Sequence, residues 1–173
     1  MKNKKTILKD GYSVLQNELI LDIIDNNKKL TDGEKARLKT IKMTIRNQRR
    51  GHAGYRYVLE CGPTDCNTID WNGMTYVERH YITIPKWTID NPEGASGMSR
   101  NDYDESLLPR YFEYYVLHEL AHVLQKFEDT KDRGHSEIFY KHFTRICPEE
   151  LQHFELGYKP RNATSAGVAG KRS

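Results

Sequence analysis

This chain has little cysteine, no long hydrophobic run, and a central stretch without acid. Cys61, Cys66 and Cys147 are its only cysteines. An odd, small count argues against a disulfide-stapled scaffold and fits a reducing compartment. No apolar stretch approaches the ~20 residues that cross a bilayer, so no membrane-spanning helix is expected. The basic start Met1-Lys2-Asn3-Lys4-Lys5 runs on into Asp10, Gln16, Asn17 and Glu18, which does not read as a signal peptide. The expected setting is cytoplasmic (the host's, for a viral chain), with no membrane partner. No internal repeat is visible.

At 173 residues, 37% apolar and 29% charged, the chain is long enough for one globular domain with a real core. Its net charge is only +3, but the charge is uneven. From Lys35 to Arg56 it carries Lys35, Arg37, Lys39, Lys42, Arg46, Arg49, Arg50 and Arg56 with no acid between them. Such a stripe can neutralise phosphates without reading sequence. Lys42, Arg46, Arg49, Arg50 and Arg56 are therefore candidate contacts to DNA or RNA. Tyr55 and Tyr57 are candidate stacking surfaces for single-stranded bases. A solvated helix face is the plainer reading of the same charges.

The chemistry is concentrated in His118-Glu119-Leu120-Ala121-His122. On a helix, residues four apart share a face, so both imidazoles can reach one metal ion while Glu119 projects nearby. Phe112, Tyr115, Val116, Leu120 and Val123 recur at three- and four-residue steps, which predicts a buried helical face around the motif. Pro109 suits its first turn. A catalytic zinc takes three protein ligands and leaves one position open. The next histidine, His135, follows a polar loop from Lys126 to Asp132 and Gly134, and should begin a second helix running through Phe143 and Ile146.

His-Glu-Leu-Ala-His, a loop, then Gly134-His135-Ser136 and the aromatic pair Phe139-Tyr140 resemble the SprT-like zinc metallopeptidases of the zincin superfamily. The resemblance covers roughly residues 80 to 145. It implies zinc held by His118, His122 and His135, with Glu119 as catalytic base in peptide-bond hydrolysis and a protein or peptide as substrate. It also implies a zincin-like α+β fold in which an edge strand beside the metal pairs with extended substrate. Tyr81 to Ile84, bounded by Pro85, is the candidate edge. Tyr140, Arg133 and Tyr158 are candidate donors to the developing oxyanion. The paired cysteines of the C-terminal zinc ribbon carried by many SprT proteins are missing.

Two other readings use the same residues. Zinc held structurally needs a fourth ligand, for which Glu128, Asp129, Asp132, His142 and His153 are available. A nucleic-acid-binding or assembly protein with a non-catalytic zinc is the second. A buried Glu119 favours catalysis, because an unpaired buried carboxylate is costly without a task.

The rest of the chain reads as an α+β arrangement. Tyr12 to Ile24 is expected to be an amphipathic helix ended by Asn26-Asn27. Thr31 and Glu34 form a capping box that should open a second helix running to about Arg49. Tyr55 to Glu60 reads as a strand, Cys61 to Gly73 as a turn-rich loop, Tyr76 to Glu78 and His80 to Ile84 as strands, and Asn91 to Asp104 as a loop. Residues 1–50 thus form a basic helical segment, 51–157 the metallopeptidase-like core, and 158–173 a flexible basic tail, all within one globular unit.

Overall fold

The computed structural model describes residues 2–7, 13–47, 54–61, 68–71, 74–90, 105–129 and 131–155. It has a mixed α+β architecture. Strands β1 (Asn3–Ile7) and β2 (Ser13–Asn17) pair antiparallel. Helices α1 (Glu18–Asn26) and α2 (Asp32–Leu38) follow, then strand β3 (Lys42–Arg46). Strands β4 (Gly54–Cys61), β5 (Thr68–Trp71) and β6 (Met74–Pro85) complete a second sheet. A short helix α3 (Trp87–Asp90) leaves the sheet. A 3-10 turn segment, Glu105–Arg110, leads into the long helix α4 (Tyr111–Glu128). Helices α5 (Glu137–Ile146) and α6 (Glu149–Gln152) close the described chain.

The N-terminal third departs from its expected helices. The segment expected as one helix from Tyr12 splits at Asn17 into a strand and a helix. Val14 and Gln16 are buried on one side of β2, and Gln16 Nε2 donates to the Lys39 carbonyl. Asn17 then caps α1, its side chain accepting from Leu19 N at 3.0 Å. An N-cap residue needs extended backbone, so a helix cannot run through it. The C-terminal end of α1 falls at Asn27, as expected. The capping box is also present: Thr31 Oγ1 accepts from Glu34 N at 3.2 Å, and Glu34 Oε2 accepts from Thr31 N at 2.9 Å. The helix it opens stops at Leu38 rather than near Arg49. Lys42 to Arg46 instead forms a strand in parallel register with Tyr81 to Pro85.

Strand β6 is central. It pairs with β3 on one side and antiparallel with β4 on the other, and β5 pairs with its N-terminal part. The two strands expected between Tyr76 and Ile84 are therefore one, and Tyr81 to Ile84 lies inside the sheet, not at an edge. β5 also occupies part of the expected loop from Cys61 to Gly73. The expected loop from Asn91 to Asp104 lies outside the described residues.

The sheet has two faces of opposite character. His80, Ile82 and Ile84 are buried on one, together with Met43 from β3. Residues alternate along a strand, so Tyr81 and Thr83 point the other way, beside Lys42, Thr44 and Arg56. The buried face packs on α4, where Phe127 meets His80 edge-on with ring centroids 5.2 Å apart. On α4 itself Val116, Leu117, Leu120 and Val123 are fully buried, and Phe139, Phe143 and Ile146 of α5 pack against the same core. Burial of each such side chain contributes roughly 1.5–3 kcal/mol. Ile20, Ile24 and Leu38 join this core, so α1 and α2 are packed into it. Helix α4 runs without an internal glycine or proline; Pro109 sits in the preceding 3-10 segment, just outside. Among the described residues, no helix is long and apolar enough to cross a membrane.

Candidate metal centre

Helix α4 places His118, Glu119 and His122 as its sequence spacing requires. The third histidine arrives from the loop between α4 and α5. His135 does not begin α5: Ser136 is the N-cap, its side chain accepting from Phe139 N at 3.3 Å, and helix starts at Glu137. One residue earlier, Gly134 takes φ 63°, a left-handed conformation that favours glycine. A Cβ there would meet nothing within 4 Å, so the backbone turn, not lack of space, requires glycine. That turn swings His135 back over α4.

The three imidazoles form a nearly equilateral triangle. Ring centroids are 5.1 Å apart for His118–His122, 5.0 Å for His118–His135 and 5.1 Å for His122–His135. One ligand atom from each lies within 4.8 Å of the others. Phe139, fully buried, forms the floor, its ring 4.3 Å from that of His122 and 4.6 Å from that of His135.

Hydrogen bonds fix which nitrogens face inward. His118 Nδ1 donates to Glu155 Oε2 at 2.6 Å, which leaves its Nε2 toward the centre. His122 Nδ1 donates to Gln125 Oε1 at 3.2 Å, with the same result. His118 Nε2 and His135 Nε2 then face each other at 3.2 Å. Two ring nitrogens that close need a proton or a cation between them. Tetrahedral zinc with bonds of 2.0–2.1 Å would put its nitrogen ligands about 3.3–3.4 Å apart, so the spacing of this pair fits a metal of that size. These three histidines can hold a metal ion.

Glu155 and Gln125 were not foreseen from the sequence. Glu155 is 2% exposed and also accepts from the Tyr114 hydroxyl at 2.8 Å. Burial pushes its carboxyl up, but the His118 contact and the Tyr114 bond outweigh this and hold it below the ordinary value. A carboxylate behind a ligating histidine sets its tautomer and orientation and raises its basicity. Gln125 ties the loop to the helix: its Nε2 donates to Gly134 O at 3.0 Å and Ser136 Oγ at 2.9 Å. Asp132 closes the same loop through Ser136. No local periodicity announces either residue. Phe154 docks on Tyr111 with centroids 4.9 Å apart, and Arg110 bonds Glu150 at 2.7 Å; these contacts bring Glu155 under His118.

The electrostatics suit the chemistry of a proton acceptor. Glu119 is 4% exposed, and burial pushes its carboxyl up to about 7. His122 is pushed down to about 4 by burial and by the neighbouring His118, which favours the neutral, metal-binding ring. Burial alone would also lower His118, but the hydrogen bond and charge of Glu155 raise it.

Tyr55 of β4 completes the wall. Its ring stacks on that of His122 (centroids 6.1 Å, 7° between planes), and its hydroxyl shares a 2.7 Å hydrogen bond with His80 Nδ1. Tyr55 thus faces the histidine cluster and is not an open platform for a base.

The remaining candidates fall elsewhere. Glu128 bonds Lys141 and His142, Asp132 binds Ser136 and Gln125, and the Asp129 carboxylate accepts from Lys131 N. Among the described residues, none of the proposed fourth ligands, His153 included, joins the cluster. Tyr140 and Arg133 flank the third histidine, the Tyr140 ring 6.1 Å from that of His135. Lys42, Arg46 and Arg56 lie on strands, on the sheet face away from α4. Arg49, Arg50, Tyr158 and Cys66 lie outside the described residues. Cys147 is a buried free thiol whose pKa burial pushes up. Comparison with family models, curated proteins and solved structures finds no significant match to this chain.

Proposed function

We propose that this chain is a zinc-dependent endopeptidase of SprT-like type, with a zincin-like fold, acting on proteins associated with nucleic acid. The observation that carries this reading is the convergence of His118, His122 and His135, with the buried carboxylate of Glu119 near enough to His118 to feel its charge. Three nitrogen ligands without a fourth, among the described residues, is the donor set of a hydrolytic rather than a structural zinc. Zinc held there would polarise a peptide carbonyl and acidify a water.

The chain's own residues divide the remaining work. Glu119 takes a proton from the attacking water and delivers it to the departing amine. Burial raises the Glu119 carboxyl, which makes its ionised form a better proton acceptor than an exposed carboxylate. The ionised, accepting form is favoured by any dication on the three histidines. Glu155 holds His118 in the tautomer that presents Nε2. Gln125 holds both His122 and the turn that carries His135. Substrate would add as a strand along β4, which has no second neighbour among the described residues and carries Tyr55 against His122. That edge replaces the one expected at Tyr81 to Ile84.

The test is cleavage by zinc-loaded protein, read as self-cleavage and as cleavage of a basic test protein, with and without single-stranded DNA. Glu119→Gln should keep one zinc per chain and lose about 10²–10⁴-fold in turnover. Turnover unchanged in that variant overturns the mechanism. No cleavage by zinc-loaded wild type moves the reading to a non-catalytic zinc in a binding or assembly protein.

A further inference from the structure

The face of the sheet turned away from α4 carries a charge arrangement that the metal centre does not use. Lys42 on β3, Tyr81 on β6 and Arg56 on β4 stand in one cross-strand row, since both cations are in register with Tyr81. The Arg56 guanidinium lies over the Tyr81 ring, 4.8 Å from its centroid, and the Lys42 ammonium lies 5.8 Å from it. Arg46, four residues along β3, shares the face of Lys42 by alternation. Lys42, Arg46 and Arg56 are exposed, and among the described residues none of the three is ion-paired.

Five other described cations have a carboxylate partner. Lys39 pairs with Asp25, Lys86 with Asp90, Arg110 with Glu113 and Glu150, Lys141 with Glu128, and Arg145 with Glu34. Like charges gathered on neighbouring strands repel, and the Tyr81 ring offsets this only in part. An outside polyanion would neutralise them. The face belongs to a multi-stranded sheet rather than a projecting helix or two-stranded ribbon, so it does not enter the major groove of a duplex. A sheet that presents cations over an aromatic ring suits an extended single strand, with phosphates on the cations and a base able to stack on the guanidinium. A bilayer is disfavoured: the large apolar side chains exposed among the described residues are Ile7 and Leu19, on β1 and α1.

We propose that this outer face, built on Lys42, Arg46, Arg56 and Tyr81, binds the sugar–phosphate backbone of single-stranded nucleic acid. The proposal stands apart from the metal centre, because the two sites use opposite faces of one sheet. Strand β4 serves both: Tyr55 faces the histidines and Arg56 faces the strand. Nucleic acid bound there would lie across the sheet from the cleavage edge and leave that edge free for a protein substrate.

The experiment is fluorescence anisotropy of labelled oligo-dT with the full, zinc-loaded chain over a range of salt. Wild type should bind with an affinity that falls as salt rises. Lys42→Glu with Arg56→Glu should weaken binding about tenfold or more. The log–log salt slope should flatten by about 1.4, the share of two phosphate contacts on a single strand. Circular dichroism and zinc content should be unchanged. Should the double reversal unfold, Lys42→Gln with Arg56→Gln provides the same comparison with less repulsion. Glu119→Gln should bind as wild type does, so this result and the protease result can fail separately. Equal affinity in wild type and a folded double variant overturns the proposal, as does salt-insensitive binding. Binding to phosphatidylserine vesicles without binding to oligo-dT would reassign the face to a membrane surface.

Discussion

Tyr55 and Arg56 are neighbours in the chain and belong to opposite chemistries. Tyr55 is half-buried, stacks on His122 and bonds His80. Arg56 is exposed and lies over Tyr81. The same contrast runs through β6, where Ile82 is 1% exposed and the adjacent Tyr81 is only half-buried. A pleated strand changes face at every residue, so one short segment can serve a dry, polar-networked site and a wet, cationic surface without either intruding on the other. The inner face is specified by packing and by hydrogen bonds that fix ring orientation. The outer face is specified by charge gathered over one aromatic ring. The first should therefore be intolerant of small changes in shape, and the second tolerant of them but sensitive to charge and salt.

The largest effect expected is that of Glu119→Gln. Its 10²–10⁴-fold loss of turnover should leave oligo-dT affinity unchanged. A shared loss of both would mean that the two faces are coupled, and the separation described above would fail.

Next in size is Glu155→Gln. The substitution keeps volume but removes the charge that orients His118 from a 2.6 Å contact. Loss of such a partner typically costs about 10–100-fold in metal affinity. Titration against a chromophoric chelator would show it. An unchanged zinc affinity would mean that Glu155 only fills space beneath Tyr114 and His118.

A sharper division comes from the adjacent pair. Tyr55→Phe removes the hydroxyl bonded to His80 but keeps the ring on His122. A net hydrogen bond of about 1 kcal/mol predicts roughly a fivefold change in metal affinity or turnover, with oligo-dT binding untouched. Arg56→Gln should do the reverse, weakening oligo-dT binding several-fold while zinc affinity and turnover hold. If both variants moved both readouts, alternation along β4 would not be what separates the sites.

These contrasts also show what a linear reading can reach. The histidine pair, Glu119 and the capping box at Thr31 were legible because local spacing alone sets their geometry. The third histidine was legible as a residue type after a glycine, though not as a residue lying just before the helix. The strand at Lys42 was misread because Leu38, Ile41 and Ile45 satisfy helical spacing, while Ile41, Met43 and Ile45 satisfy alternation equally well. Parallel pairing with β6 decides between them, and no local pattern encodes that. Glu155 was invisible for the same reason. Its place under His118 depends on Phe154 docking among Tyr111 and Tyr114, a contact made only once the helices pack. The basic stripe is legible in the sequence, but its division between faces depends on that strand.

The smallest effect expected lies away from both faces and serves as their control. Arg145 of α5 donates to Glu34 of α2 through Nη2, joining the N-terminal helices to the helix that follows His135. Burial raises the Glu34 carboxyl, but the bonds and charge of Arg145, with the Thr31 bonds, more than offset it, so its pKa lies below the ordinary value. A depressed carboxyl contributes stability that is present above the unfolded pKa and lost as pH falls through the folded one. Thermal melts of wild type and Glu34→Gln should therefore differ near pH 7 by about 1 kcal/mol or less, since the pair is partly exposed. The two should converge as pH drops below the ordinary carboxylate range. Zinc affinity and oligo-dT binding should not move at neutral pH. A change in either would show that the α2–α5 contact transmits strain to His135 or to β3, and that stability, not side-chain chemistry, underlies part of the contrast between the faces.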